Sequence, residues 1–285
     1  MVGKHLITRF ASRGAFSTVG NAYPNYGVRA FSVSPIRRDD VDVTVEGGIR
    51  TITMNRLSKH NAITDQMYRQ MGKSLLESNR DEATKIVVIT GVGEKYFTSG
   101  YDLKNLIQDY NNRVPAGANG ATVFISSLIE CKKPLIGLVN GSAVGIGVTL
   151  LAHCEAVYAS DQAHFNTPFI KLGIPPECCS SYLFPKIVGH AKAGALLHFN
   201  DTWTAQEAYE YGLVTRVFPQ DKFKTEAWKL VKKMAEHPAE TLLNSKALLR
   251  DKERPLLRKV FEEENSKFDV EVVGQSAMKL IASRK

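Results

Sequence analysis

From Pro134 to Ala152 the chain runs through nineteen residues without a charge. A stretch of that length either spans a bilayer or is buried inside a protein. Asn140, Ser142, Thr149 and four glycines interrupt it. It therefore reads as a buried strand at Leu135–Val139, a tight glycine turn and a buried helix, and not as a membrane span. A strand that hands over to a helix so quickly is the unit of an α/β fold with repeated crossovers.

The same alternation recurs elsewhere. Val41, Val43 and Val45 alternate with polar residues, the period of a half-buried strand. Glu46-Gly47-Gly48 turns the chain, and Ile49 to Met54 returns as a second strand. Thr64 is suited to cap a helix on which Met67, Tyr68, Met71 and Leu75 share one face. Ile86–Thr90 and Ala156–Ala159 are further short apolar strands. Thr204-Ala205-Gln206-Glu207 has capping-box spacing. From about Thr225 the pattern is helical, and Glu262, Glu263 and Glu264 with nearby lysines read as a solvated helix face. The expected organisation is an extension over 1–38, a core over 39–232 and a helical subdomain over 233–285 for oligomerisation.

A formal net charge of +8 invites a nucleic-acid partner. Its distribution argues otherwise. Lys4, Arg9, Arg13, Arg29, Arg37 and Arg38 fall in the first 38 residues, which hold no acid; the remainder carries only +2. An Arg- and Ser-rich, acid-free leader has the composition of a mitochondrial transit peptide, the plainer alternative being a disordered basic tail. Arg29-Ala30-Phe31-Ser32 is similar to a matrix-processing site. Cys131, Cys154, Cys178 and Cys179 lack CxxC or metal-ligand spacing. They are expected to be small buried residues in a reducing compartment, with no metal site.

Three segments are candidates for chemistry. Ser99-Gly100 turns a strand into a helix expected near Tyr101, and Asn140 to Gly147 makes a second glycine-rich strand–helix turn. Either is open to reading as a mere tight connection. Together they offer two backbone N–H donors from different loops, as an oxyanion hole requires. Glu177, in Leu172-Gly173-Ile174-Pro175-Pro176-Glu177-Cys178-Cys179-Ser180-Ser181, is the only carboxylate between Asp161 and Asp201. It is either a buried proton shuttle with a raised pKa or a helix N-terminal glutamate that complements the dipole. His153 and His164 read as packing and main-chain-bonded histidines.

At these residues the sequence resembles the enoyl-CoA hydratase/isomerase, or crotonase, superfamily from about Val41 onward. The resemblance rests on Asn55-Arg56 with Lys59-His60-Asn61-Ala62, on Phe97-Thr98-Ser99-Gly100-Tyr101-Asp102-Leu103, on Lys133 through Gly147, and on Val157 through Phe169. Within the family, Phe169, Leu172, Gly173, Pro176, Glu177, Cys179, Ser180 and Ser181 match the segment of the Δ3,Δ2-enoyl-CoA isomerase 2 branch that ends in its catalytic glutamate. The resemblance implies a spiral of repeated ββα units and a homotrimer or dimer of trimers. It implies Glu177 as the base and the N–H groups of Tyr101 and Ile146 as oxyanion donors. It also implies substrate or CoA contacts from Asn61, Ala62, Ser99, Gly100, Asp102, Leu103 and Gly145.

The expected substrate is therefore an acyl-CoA thioester, with coenzyme A part of the substrate and no separate cofactor. Family hydratases use two glutamates, at positions that are Thr149 and Phe169 here. That departure favours moving a 3-enoyl-CoA double bond to the 2-position over adding water. A non-catalytic CoA-thioester-binding homologue and another crotonase reaction are the alternatives. The chain ends Ala282-Ser283-Arg284-Lys285 and not in the branch's peroxisomal Ser-Lys-Leu; from the acid-free Arg- and Ser-rich leader, the expected location is the mitochondrial matrix.

Overall fold

The chain opens as a hairpin. β1 (Val41–Glu46) and β2 (Ile49–Met54) pair antiparallel, with Val41 opposite Met54 and Glu46 opposite Ile49. Gly47 and Gly48 take positive φ values of 58° and 83°, as a tight two-residue turn demands. Of the alternating valines, Val41 is buried while Val43 and Val45 are each 42% exposed, so this edge strand is less covered than its period implied. A computed structural model describes residues 40–282 apart from 115 and 116. The basic segment expected to be a transit peptide lies outside the described residues.

α1 (Asp65–Ser78) follows the hairpin. Thr64 caps it by accepting a hydrogen bond from the Met67 N–H at 3.2 Å, and Met67, Tyr68, Met71 and Leu75 are all buried. Strands then come in pairs. β3 (Ile86–Gly91) leads to β4 (Tyr96–Thr98), α2 (Leu103–Asn111) and α3 (Gly120–Glu130). β5 (Leu135–Val139) leads to β6 (Ser142–Val144) and α4 (Ile146–Thr149). β7 (Ala156–Ser160) leads to β8 (His164–Asn166) and α5 (Phe169–Leu172). Next come α6 (Ser180–Val188), α7 (His190–Phe199), β9 (Thr202–Thr204), α8 (Ala205–Glu210) and β10 (Arg216–Phe218). The chain closes with α9 (Gln220–Ala235), α10 (Ala239–Arg250), α11 (Arg254–Ser266) and α12 (Val270–Ala282).

Each pair divides its strands between two sheets. The first members join a six-stranded sheet ordered β1-β2-β3-β5-β7-β10, parallel except at β1. The second members join a four-stranded sheet ordered β4-β6-β8-β9, antiparallel only at β9. The repeated ββα unit therefore winds as a spiral, in line with expectation.

Side-chain alternation explains the uncharged run. Val87, Ile89, Leu135, Val139 and Val157 point into one core, shared with α1 and α3. Ile86, Val88, Ile136, Leu138 and Tyr158 point into a second, closed by Phe223, Ala227, Val231 and Ala235 of α9. A parallel sheet covered on both faces needs no polar side. No helix among the described residues is long and apolar enough to cross a membrane. The later helices are tied back to this core by cations bonded to carbonyls. Lys246 donates to Lys133 O (2.7 Å), Arg250 to Ala152 O (3.1 Å) and Arg254 to Cys131 O (3.0 Å).

Glycine lets the two loops beyond β4 and β6 touch. Gly100 has φ +85°, and a Cβ there would lie 2.9 Å from Val144 O; a Cβ at Gly147 would overlap Thr98 Cγ2. Gly100→Ala is thus expected to cost about 1–3 kcal/mol, the combined effect of a left-handed non-glycine residue and a backbone clash. Urea unfolding checks this, and a variant within ~0.5 kcal/mol of wild type would show that the contact relaxes freely.

Candidate functional site

The loops that leave the small sheet, the segment after α5 and the helices α3 and α11 enclose a cavity of about 740 Å³. Leu106, Ala121, Ile125, Phe261 and Phe268 give it an apolar lining, while Arg56 and the exposed Lys59 and Lys104 also border it. Arg56 is already engaged, with Asp102 at 2.9 Å and with Ala62 O at 2.6 Å. Lys59 and Lys104 make no ion pair among the described residues, which leaves positive charge for an anionic ligand.

Of the residues singled out in the sequence, Glu177, Tyr101, Ile146, Ala62, Ser99, Asp102, Leu103 and Gly145 all line this cavity. Asn61 and Gly100 do not. Asn61 is fully buried and serves the loops instead of a ligand. Its amide Nδ2 donates to Val92 O and Tyr96 O, both at 3.0 Å, and its Oδ1 accepts from the Arg56 N–H at 3.1 Å. Gly100 acts through backbone shape, as above. The helix expected near Tyr101 begins two residues later at Leu103, because Asp102 is its cap and accepts from the Lys104 N–H at 2.9 Å.

Two backbone donors on cavity-lining residues, the N–H groups of Tyr101 and Ile146, have no acceptor among the described residues. Gly100 and Gly145 both have positive φ, 85° and 59°, and each precedes a residue whose N–H is left over. Around Tyr101, the Ile63 N–H bonds Gly100 O and the Asp102 N–H bonds Ile63 O, which skips the Tyr101 N–H. Around Ile146, the Gly145 N–H bonds Asn166 O, and the Val148 and Thr149 N–H groups bond Gly145 O, which skips the Ile146 N–H. Ile146 opens a helix, where an N–H has no partner within the helix.

Glu177 is half-buried on the cavity wall. Loss of hydration first, and the nearby Glu264 carboxylate second, push its pKa up to about 8. Its turn is strained: Cys178 and Cys179 have φ values of 60° and 58°. His153 donates from Nε2 to Cys178 O at 2.9 Å, the tautomer that a carbonyl partner requires. Burial lowers the His153 pKa to about 4, so it stays neutral and structural, as the sequence suggested. His164 is likewise bonded to main chain, at Gln162 O. Cys131, Cys178 and Cys179 are buried and all four cysteines are free.

Glu264 departs from the solvated face expected of its run of glutamates. Glu262 and Glu263 are solvated, but Glu264 is 8% exposed and lines the cavity. It lies in register with Leu257, Val260 and Phe261 on the buried stripe of α11, a spacing that distinguishes it from its two neighbours. Burial raises its pKa while hydrogen bonds from Ser181 and Cys179 oppose that rise. Of the positions where family hydratases carry glutamates, Phe169 lines the cavity and Thr149 is buried away from it.

A model of the enoyl-CoA hydratase/isomerase family matches residues 44–278. The chain is 48% identical over 225 residues to enoyl-CoA delta isomerase 2 of Rattus norvegicus, covering 78% of this chain and 57% of that one. It is 43% identical over 244 residues to the peroxisomal enoyl-CoA delta isomerase 3 of Mus musculus, covering 85% and 76%. It therefore spans little more than half the length of the rat relative. The crystal structure of an enoyl-CoA hydratase/isomerase from Pseudoalteromonas atlantica superposes with a TM-score of 0.79 at 31% identity, over 86% of this chain and 98% of that one.

The raised pKa of Glu177 has a consequence for stability. A folded-state pKa near 8 against an ordinary value of 4.5 means that the folded protein binds the proton more tightly. Its stabilising contribution is complete below the ordinary value and is lost as pH rises through about 8. Relative to Glu177→Gln, the wild type is expected to lose a few kcal/mol of unfolding free energy between pH 5 and pH 9. Paired urea titrations read the difference, and a difference that stays flat with pH contradicts the desolvated carboxyl.

Proposed function

Because the chain belongs to the enoyl-CoA hydratase/isomerase family, we propose that it is a Δ3,Δ2-enoyl-CoA isomerase with Glu177 as its base. The observation that carries this reading is the meeting, in one largely apolar cavity, of a carboxyl and two backbone N–H groups that have no hydrogen-bond partner among the described residues. The names of the rat and mouse relatives support the same activity.

The steps balance within the substrate. A thioester acidifies the hydrogens at C2. The Glu177 carboxylate takes one, the C2–H bond breaks, and its electrons delocalise through C1 onto the thioester oxygen and through the 3,4 double bond onto C4, giving a dienolate. The N–H groups of Tyr101 and Ile146 stabilise that oxygen; one such donor is worth roughly 3–4 kcal/mol in comparable enzymes. Glu177 then returns the proton at C4, leaving a 2,3 double bond. One carboxyl serves both carbons, and no redox step or metal is called for. A pKa near 8 suits this double duty, since base and acid forms are both accessible near neutrality. Lys59 and Lys104 would meet the phosphates of coenzyme A, and the apolar wall would hold the acyl chain.

The acid-free leader favours a mitochondrial matrix location within fatty acid oxidation, whereas the mouse relative's name is peroxisomal. The helices of 233–285 are proposed as the oligomerisation element of a homotrimer or dimer of trimers, with 39–232 as the core.

Glu177→Gln is expected to reduce turnover of a 3-enoyl-CoA by on the order of 10²–10⁴ while leaving the fold intact. Near-native turnover would remove Glu177 from the mechanism. Isomerisation is also expected to exceed hydration of the matching 2-enoyl-CoA by at least about tenfold, a barrier difference of ~1.4 kcal/mol. Glu264 does not change that expectation, because hydrogen bonds from Cys179 and Ser181 already fill three of the four lone-pair sites on its oxygens. Equal rates on one preparation would count against the isomerase reading.

A further inference from the structure

The turn that carries Glu177 needs support from outside itself. Two successive non-glycine residues, Cys178 and Cys179, occupy the left-handed region that side chains disfavour. Within the turn there is one bond, from the Ser180 N–H to Glu177 O at 3.1 Å. Other elements supply the rest. His153 holds Cys178 O, and the Cys179 thiol donates to Leu257 O of α11 at 3.3 Å.

The largest share comes from Glu264. Its Oε2 accepts from the Cys179 N–H at 2.7 Å. Its Oε1 accepts from the Ser181 N–H at 3.0 Å and from Ser181 Oγ at 2.6 Å. Three donors of one turn thus converge on one buried carboxylate, the arrangement in which charge-assisted bonds are strongest. α11 is itself fixed to the core by Arg254 at its first turn and by the buried Leu257 and Phe261.

We propose that Glu264 is the positioning residue of the active site: its carboxylate clamps the Cys179–Ser181 turn from α11 and thereby sets where Glu177 stands against the substrate. This deepens the reading of Glu177 as the base and rests on it. Glu264 is assigned no proton transfer, since hydrogen bonds from the turn fill three of the four lone-pair sites on its oxygens. Its negative charge has a second effect. It opposes ionisation of Glu177, adding to the effect of burial. The other titratable groups around Glu177 are Tyr68, Tyr101 and Cys178, and burial raises the pKa of each, so all three stay neutral at working pH.

Glu264→Gln keeps the size of the side chain but removes the charge and turns one acceptor into a donor that faces an N–H. Two readouts are measured on the purified full chain: steady-state isomerisation of a 3-enoyl-CoA, and the carboxyl titration of Glu177 by carbon-13 NMR, assigned by its disappearance in Glu177→Gln. The folded Glu264→Gln variant is expected to lose at least about tenfold in kcat with KM held within about threefold, and its Glu177 titration should move to lower pH. Wild-type kcat, or an unmoved titration, in the folded variant overturns the proposal. Should Glu264→Gln fail to fold, Ser181→Ala decides the matter. It deletes one donor of three and is expected to lower kcat about threefold at unchanged KM; wild-type kcat in that variant overturns the proposal as well. Failure of the base assignment reads out separately, as Glu177→Gln with its turnover intact.

Discussion

A carboxyl group on the wall of an apolar cavity, with no hydrogen-bond partner among the described residues, is unfavourable, and the packing around its turn keeps Glu177 in that position. Its pKa near 8 is the direct mark of the desolvation involved. A flexible turn would relieve the penalty by swinging the carboxyl toward water. Here the turn is held in a left-handed conformation from three directions: His153 behind it, Leu257 O beside it and Glu264 across it. Those anchors come from segments far apart in sequence, so the position of one carboxyl reports on the packing of the whole unit. Strain of this kind persists only where the surroundings over-determine it.

The opposite side of the site uses main chain alone. The doubly covered parallel sheet sends its connections out at the carboxyl ends of its strands, and the small sheet stacks the next three-residue strands side by side. Gly100 and Gly145 then bring the two loops together and leave in each one N–H that has no acceptor among the described residues. Backbone donors held this way need no reorganisation when charge develops on a bound oxygen, which is why a rigid glycine turn suits the proposed role better than a mobile side chain. Asn61 contributes from underneath, tying Arg56, Val92 and Tyr96 into one loop cluster.

Much of this could be read in the sequence, and what escaped has physical reasons. The strands β3, β5 and β7 are short apolar runs, and their alternate side chains enter two cores; a run of that kind is visible without a partner. β4, β6 and β8 are three residues each and exist through pairing, so nothing local marked them. Thr64 and Thr204 cap helices as their spacing indicated, since a cap is decided within four residues. Asn61 was read as a ligand contact because its motif is shared with the family, whereas its amide is consumed by carbonyls 31 to 36 residues away. Glu264 was hidden among three consecutive glutamates. Its register with Leu257 and Phe261 marked it as inward-facing, but the donors that make burial tolerable come from a turn more than 80 residues earlier.

In the proposed reaction one carboxyl, that of Glu177, removes a proton at C2 and delivers it at C4. Single-turnover conversion of a 3-enoyl-CoA deuterated at C2, run in ordinary water and analysed by mass spectrometry and NMR, tests it most directly. Deuterium at C4 of the 2-enoyl product, above the level set by solvent exchange, is the result this account predicts. A product whose new C4 hydrogen comes from solvent alone, with no transferred label at the shortest times, would contradict it.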